Sequence, residues 1–177
     1  MPDLPQSRGR LLLWFGLAAT VVLLDQWTKS LALSQLDYGY PVRVLPVLNL
    51  TLQYNEGAAF SFLSDAGGWQ RWFFSAVALA ASVVVSVWLM RLRPEDWLLA
   101  LSLSLILGGA IGNLWDRLQF GYVVDFISVH YHNWYFPTFN VADAAVSVGA
   151  VLMILDAIRQ PGHTDSESGA TSERGAE

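Results

Sequence analysis

Two aspartates, Asp125 and Asp143, are the residues of this chain best suited to chemistry. Asp125 lies in Val123-Val124-Asp125-Phe126-Ile127, a context that offers a carboxylate little hydration. Asp143 follows Asn140 by three positions, at the start of a strongly apolar run. An ionisable group in or near a bilayer is expensive, so each one needs a reason. Two carboxylates that meet at a membrane surface resist joint ionisation, which leaves one protonated beside one ionised. That is the acid/base pair with which aspartic proteases activate water. Each aspartate also has a plainer reading. Asn140 as N-cap with Asp143 at the third helical position would satisfy exposed N–H groups and complement the helix dipole. Asp125 could be an edge-strand charge or the partner of Arg117. Because Asn140 and Asp143 share a helix face, capping and catalysis are compatible.

Other polar pairs accompany them. Asp25 and Lys29 are four apart with the carboxylate first, the favourable order for a helical ion pair, and are expected to support a site rather than react. Asn113 and Arg117 repeat that spacing; they could orient a carboxylate or bind a carbonyl, and could equally tie helix ends together. Ser128 and His130 would share a strand face from which Asp125 points away, and no G-x-S-x-G elbow exists, so a serine hydrolase is rejected. His130 and His132 lack a third ligand and an H-E-x-x-H motif, so no metal site is expected. The absence of cysteine excludes disulfides and thiolate chemistry.

Positioning these groups falls to apolar elements. The chain has 177 residues, 54% hydrophobic and 14% charged, against roughly 25% charged in a soluble domain. Mean hydropathy is +0.39. Uncharged runs extend over Leu11–Leu24, Trp72–Met90, Trp97–Trp115 and Ala144–Leu155. A span needs about 20 residues, so the first run must reach through Asp25 towards Ser30 and the fourth must begin near Phe139 or Asn140. Spans are expected at about 11–30, 70–90, 96–116 and 140–159, in a single domain over 1–159. Arg8 and Arg10 before the first run imitate a signal peptide, but Ala32-Leu33-Ser34 is a poor cleavage site, and an uncleaved span is expected.

With the N-terminus inside, Arg8, Arg10, Arg91, Arg93, Arg159 and Arg174 are cytoplasmic, and Lys29, Arg43, Arg71 and Arg117 are outside, a bias the short Arg91-Leu92-Arg93-Pro94 turn strengthens. Both termini are then cytoplasmic, and Asp25, Asp125 and Asp143 lie towards the outer face. Tryptophans 27, 69, 72, 88, 97 and 115 stand near run ends, as an interfacial belt would. Between the first two spans, Leu48, Leu50, Leu52 and Tyr54 alternate with polar residues, which predicts a half-buried strand. Asn55-Glu56-Gly57 reads as a turn and Ala58–Phe62 as a returning strand. Tyr122–Val129 is strand-like as well. A four-helix integral membrane protein with a small extracytoplasmic β-sheet cradle results. The tail over 160–177 is Gly/Ser/Glu-rich and expected to be disordered. A formal charge of −5, partly from that tail, argues against nucleic acid.

Five segments in order resemble the lipoprotein signal peptidases, or signal peptidase II: Asp25-Gln26-Trp27-Thr28-Lys29, Asn55-Glu56-Gly57-Ala58-Ala59-Phe60, Gly108-Gly109-Ala110-Ile111-Gly112-Asn113-Leu114-Trp115-Asp116-Arg117, Val123-Val124-Asp125-Phe126 and Phe139-Asn140-Val141-Ala142-Asp143. The resemblance implies an aspartic endopeptidase of the bacterial inner membrane, with its site on the periplasmic side. Its substrate would be a prolipoprotein carrying diacylglyceryl on the cysteine after the cleavage site. It makes Asp125 and Asp143 the catalytic pair, and Asp25, Lys29, Asn55, Gly57, Asn113, Arg117, Asn140 and Ala142 supporting or substrate-binding positions. No cofactor is needed, membrane lipid is a partner, and a monomer is expected. The rival class is a proton-coupled transporter, which would spread carboxylates through membrane depth and break helices near mid-bilayer. Here the acids gather at the outer ends.

Overall fold

The computed structural model describes residues 7–57 and 69–159. Among these, four helices are long and apolar enough to cross a membrane: α1 (Arg8–Gln35), α2 (Trp69–Arg91), α3 (Trp97–Gln119) and α4 (Val141–Arg159). Of the four, α3 is the most buried, and α1, α2 and α4 all pack on it. Glycines make those contacts close. A Cβ on Gly108 would meet Val21 and Ala18 of α1, and one on Gly109 would meet the Ala142 carbonyl of α4.

At the end of the bundle remote from the sheet (its inner end), Leu89, Leu92, Ala100 and Leu103 form a buried cluster, with Trp14, Phe15 and Met153 packed against it. Arg10 donates to the Pro94 carbonyl at 2.6 Å, so the start of α1 stands beside the α2–α3 turn. Ser7 caps α1 by accepting from the Arg10 N–H. With 28 residues, α1 is about 42 Å long, more than the hydrocarbon thickness. It continues to Gln35, five residues past the expected end, because Ala32 and Leu36 are covered by Leu52, Val124 and Phe126 of the sheet.

That sheet is antiparallel in the order β1-β2-β3-β4, from Val42–Leu45, Leu48–Asn55, Val123–Tyr131 and Trp134–Tyr135. Strands β2 and β3 answer to the two expected segments. β1 and β4 were not expected; β1 is exposed along its whole length and β4 is only two residues long. The anticipated returning strand over 58–62 lies outside the described residues, as does the tail over 160–177.

The expected alternation along β2 is interrupted. Leu50 stands opposite Ile127 and Gln53 opposite Asp125, so a bulge places two residues, Thr51 and Leu52, where one would sit. Without it, Leu48, Leu50, Leu52 and Tyr54 would occupy one face. With it, Leu52 and Tyr54 join the Val124 side, and Gln53 and Asn55 turn to the side of Asp125. A second clip fixes the far side of β3: Phe126 and Ile127 both donate to the Phe139 carbonyl, at 3.1 and 2.8 Å, and Phe139 donates back to Ile127. The strand bearing Asp125 is thereby tied to the residues that open α4.

Candidate active site

Asn140 is the centre of the polar cluster at the sheet end of the bundle (its outer end) and is fully buried. Its Oδ1 accepts from the Asp143 N–H at 2.8 Å, and Asp143 Oδ2 accepts from the Asn140 N–H at 3.3 Å. This reciprocal pattern is the capping box expected from the spacing. The same Asn140 donates through Nδ2 to Asp125 Oδ1 at 2.7 Å. One side chain therefore joins both aspartates, and capping α4 and building the site are a single arrangement.

Each aspartate has a second donor. Asn55 Nδ2 reaches Asp125 Oδ2 at 3.0 Å, which is the consequence of the β2 bulge. Asn113 Nδ2 reaches Asp143 Oδ1 at 2.7 Å. Asn55 is itself held by the turn that follows it, where its Oδ1 accepts from the Gly57 N–H at 2.9 Å. Gly57 has φ +94°, and a Cβ there would lie 2.5 Å from the Phe74 ring, so glycine is required on both conformational and steric grounds.

The two carboxyls sit in different surroundings. Asp125 is 2% exposed, whereas Asp143 is partly open to solvent. Burial, reinforced by the nearby charge of Asp143, pushes the Asp125 carboxyl up to about 7 against the opposing effects of Asn55, Asn140 and Lys29. Near neutral pH, Asp125 is therefore poised to hold a proton beside an acceptor.

No ion pair joins Arg117 to Asp125 among the described residues. Among the described residues Arg117 donates once, to the Asn113 carbonyl at 3.3 Å, and its guanidinium lies 5.5 Å from the centre of the Phe74 ring. Asp25 and Lys29 form the expected ion pair at 2.8 Å. Asp25 also accepts from the Ala142 N–H at 2.9 Å, so Ala142 joins the cluster through its backbone. All ten residues singled out from the sequence thus converge on one region.

Two further residues of that region were missed. Asp116 is fully buried, 2.8 Å from Lys29 and 3.0 Å from the Val124 N–H. Gln26 donates to Asp116 at 2.8 Å and to Asp25 at 3.2 Å. A signal for Asp116 was present: it falls four and seven residues after Gly112 and Gly109, on the face of α3 that small residues mark for close packing.

A family model described as "Signal peptidase (SPase) II" matches residues 17–159. The lipoprotein signal peptidase of Acinetobacter baumannii is 53% identical over 145 residues, 82% of each chain. That of Acinetobacter baylyi is 48% identical over 162 residues, 88% of this chain and 90% of the other. Two solved structures, each titled as a bacterial membrane enzyme determined by the in meso method, share the fold. One has a TM-score of 0.76 at 29% identity, covering 92% of this chain and all of the other. The second has a TM-score of 0.74 at 26% identity, covering both chains completely. Motif order, fold and likeness over most of the chain agree: this chain belongs to the signal peptidase II family.

Proposed function

We propose that the chain is an aspartic endopeptidase of the bacterial inner membrane, which cleaves prolipoproteins immediately before a diacylglyceryl-modified cysteine. Asp125 and Asp143 are its catalytic pair. The observation that carries this reading is Asn140, which donates to Asp125 while capping the helix that presents Asp143. It holds two carboxyls at one place with one of them buried enough to keep a proton.

The ionised carboxylate takes a proton from water as the oxygen attacks the carbonyl preceding the modified cysteine. The protonated partner donates a hydrogen bond to that carbonyl and stabilises the charge that develops on it. Collapse of the tetrahedral intermediate breaks the C–N bond, and the pair returns a proton to the leaving amine. Burial favours Asp125 as the proton holder at rest, although the pair titrates as a unit. The guanidinium N–H groups that Arg117 does not spend on Asn113 are available to a substrate carbonyl. The acyl chains stay in the bilayer beside the spans, where burial supplies affinity without sequence readout. Both termini are cytoplasmic, the site is periplasmic, and the unit is a monomer.

The test is cleavage of a diacylglyceryl-modified prolipoprotein by the purified protein and by Asp125→Asn and Asp143→Asn. Each variant is expected to lose at least about a thousandfold in kcat while remaining folded. Parent-level cleavage by either one refutes the pair, and equal cleavage of the unlipidated precursor refutes the substrate assignment.

A further inference from the structure

Asp25, Lys29 and Asp116 form a charged cluster that hydrogen-bonds to neither catalytic aspartate. None is more than 2% exposed. Lys29 Nζ lies 2.8 Å from Asp25 Oδ2 and 2.8 Å from Asp116 Oδ2. The two carboxylates also spend their oxygens in matching ways. Asp25 Oδ1 accepts from the N–H of Ala142, the residue before Asp143. Asp116 Oδ2 accepts from the N–H of Val124, the residue before Asp125. A cluster that only fastened α1 to α3 would need no backbone contact beyond those helices. This one takes hold of the main chain next to each reacting group.

We propose that Asp25, Lys29 and Asp116 are a clamp that sets the separation of the two catalytic aspartates, and that Asp116 is a positioning residue for the reaction. The inference rests on the assignment of Asp125 and Asp143 as the catalytic pair. One cation holds both jaws, so α4 and β3 are referred to a common point although they are joined to it through different helices.

Lys29 has a third role in the clamp. It donates to Asn113 Oδ1 at 3.0 Å, and Asn140 Nδ2 donates to the same oxygen at 3.2 Å. With its oxygen so occupied, the Asn113 amide must turn Nδ2 towards Asp143, the 2.7 Å contact observed. Gly112 lets the parts approach: a Cβ there would stand 2.7 Å from Asp25 Oδ2 and 3.3 Å from the Ala142 Cβ.

A displacement of about 1 Å between reacting groups can cost roughly a hundredfold in rate, so the clamp is visible in turnover. It is visible in pH dependence too. The charged groups acting on Asp125 are Asp143 on α4, Lys29 on α1 and Arg117 on α3, and Asp116 in turn acts on Arg117. Carboxyls held further apart repel less, so the pair releases its shared proton at lower pH.

The experiment measures kcat, KM and the pH profile of the full chain in lipid, acting on a diacylglyceryl-modified prolipoprotein, for the parent, Asp116→Ala and Asp116→Asn. Both variants lose the same charge, but asparagine keeps an acceptor for the Val124 N–H. Their difference therefore reads, at constant charge, the acceptor oxygen that the side chain offers to Val124, Lys29 and Gln26. Asp116→Ala is expected to lower kcat about a hundredfold with KM within about threefold, and to move the alkaline limb to lower pH. Asp116→Asn is expected to recover at least about tenfold of that kcat and part of the limb. Equal kcat in the two variants, or a loss of thermal stability with an unmoved limb, overturns the clamp. Should Asp116→Ala fail to fold, Asp25→Ala against Asp25→Asn makes the same comparison at the Ala142 N–H, and equality there overturns it. Asp125→Asn and Asp143→Asn run alongside: parent activity in either refutes the catalytic pair itself, whereas their inactivity with indifferent clamp variants refutes the clamp alone.

Discussion

The two ends of the helical bundle hold together by different physics. At the inner end, Leu89, Leu92, Ala100 and Leu103 pack without directed bonds, and the buried hydroxyls nearby, Ser102 and Ser104, donate to the carbonyls of Leu98 and Ala100 in their own helix. At the outer end, the buried polar side chains of the cluster bond across elements: Lys29 to α3, Asp25 to α4, Asp116 and Asn140 to β3. Non-directional packing tolerates small shifts, whereas a network of bonds at 2.7–3.3 Å admits one geometry. In a multi-pass membrane protein of this family, that division leaves the half remote from the sheet to assemble the helices and the half beside the sheet to fix the geometry of the polar cluster.

The largest expected effect breaks the outer end. Lys29→Met leaves Asp25 and Asp116 buried with no cation between them, and removing one partner of a buried ion cluster costs about 3–5 kcal/mol. Thermal unfolding in detergent should show a drop of that order, with kcat falling as the Asn113 amide loses its orientation. A variant that unfolds with the parent would show that the charges are hydrated and that the contrast between the two ends is false.

The next effect has the opposite sign. The folded Asp125 carboxyl holds its proton to about pH 7, whereas the unfolded one releases it near 3.8. Between those values the folded state binds more protons, so the stability of the parent falls as pH rises from about 4 to 7 and levels off above that. Asp125→Asn lacks this contribution to the slope. At pH 8 it should be more stable than the parent, by at most about 4 kcal/mol for a shift of roughly three units, while being inactive. Identical slopes of unfolding temperature against pH in the two proteins would remove Asp125 as the buried proton holder.

Gly112→Ala comes third. Its Cβ would press on Asp25 Oδ2 and the Ala142 Cβ, and overpacking of this kind costs about 1–3 kcal/mol. Gly16, on the same α1–α3 pair of helices but with nothing within 4 Å of its Cβ position, is the control: Gly16→Ala should be neutral or slightly stabilising. Equal unfolding temperatures for the two alanine variants would show that the outer end is as tolerant as the inner.

The same contrast decides what could be read from sequence. Asp125, Asp143, Asp25 and Lys29 stood out because charge is rare in an apolar chain, and helix spacing was enough to pair Asp25 with Lys29 and Asn140 with Asp143. Asp116 escaped notice because it lies beside Arg117 at a helix end, where a surface ion pair is the ordinary outcome; its burial depends on α1 and β3, which are distant in sequence. The β2 bulge was hidden for a related reason. Alternation over Leu48–Tyr54 looks regular, and only pairing with β3 shows that Thr51 and Leu52 together oppose one residue, so that Asn55 reaches Asp125. Edge strand β1 carries apolar residues on an exposed surface, where pattern says nothing about burial.

The smallest expected effect lies at the inner end. Ser104 is fully buried, and by the rule for the outer end its loss should be costly. Among the described residues, however, its hydroxyl bonds only to the Ala100 carbonyl at 2.7 Å, an oxygen that the α-helical ladder already supplies with a backbone N–H. Ser104→Ala therefore removes a donor and its desolvation together and orphans nothing. Alanine is also the better helix former. The change in stability should stay within about 0.5 kcal/mol, with kcat and pH profile at parent values. A Ser104→Ala protein that lost as much as Gly112→Ala would mean that hydroxyl groups at the inner end also bond between helices, and the two ends would then differ only in charge.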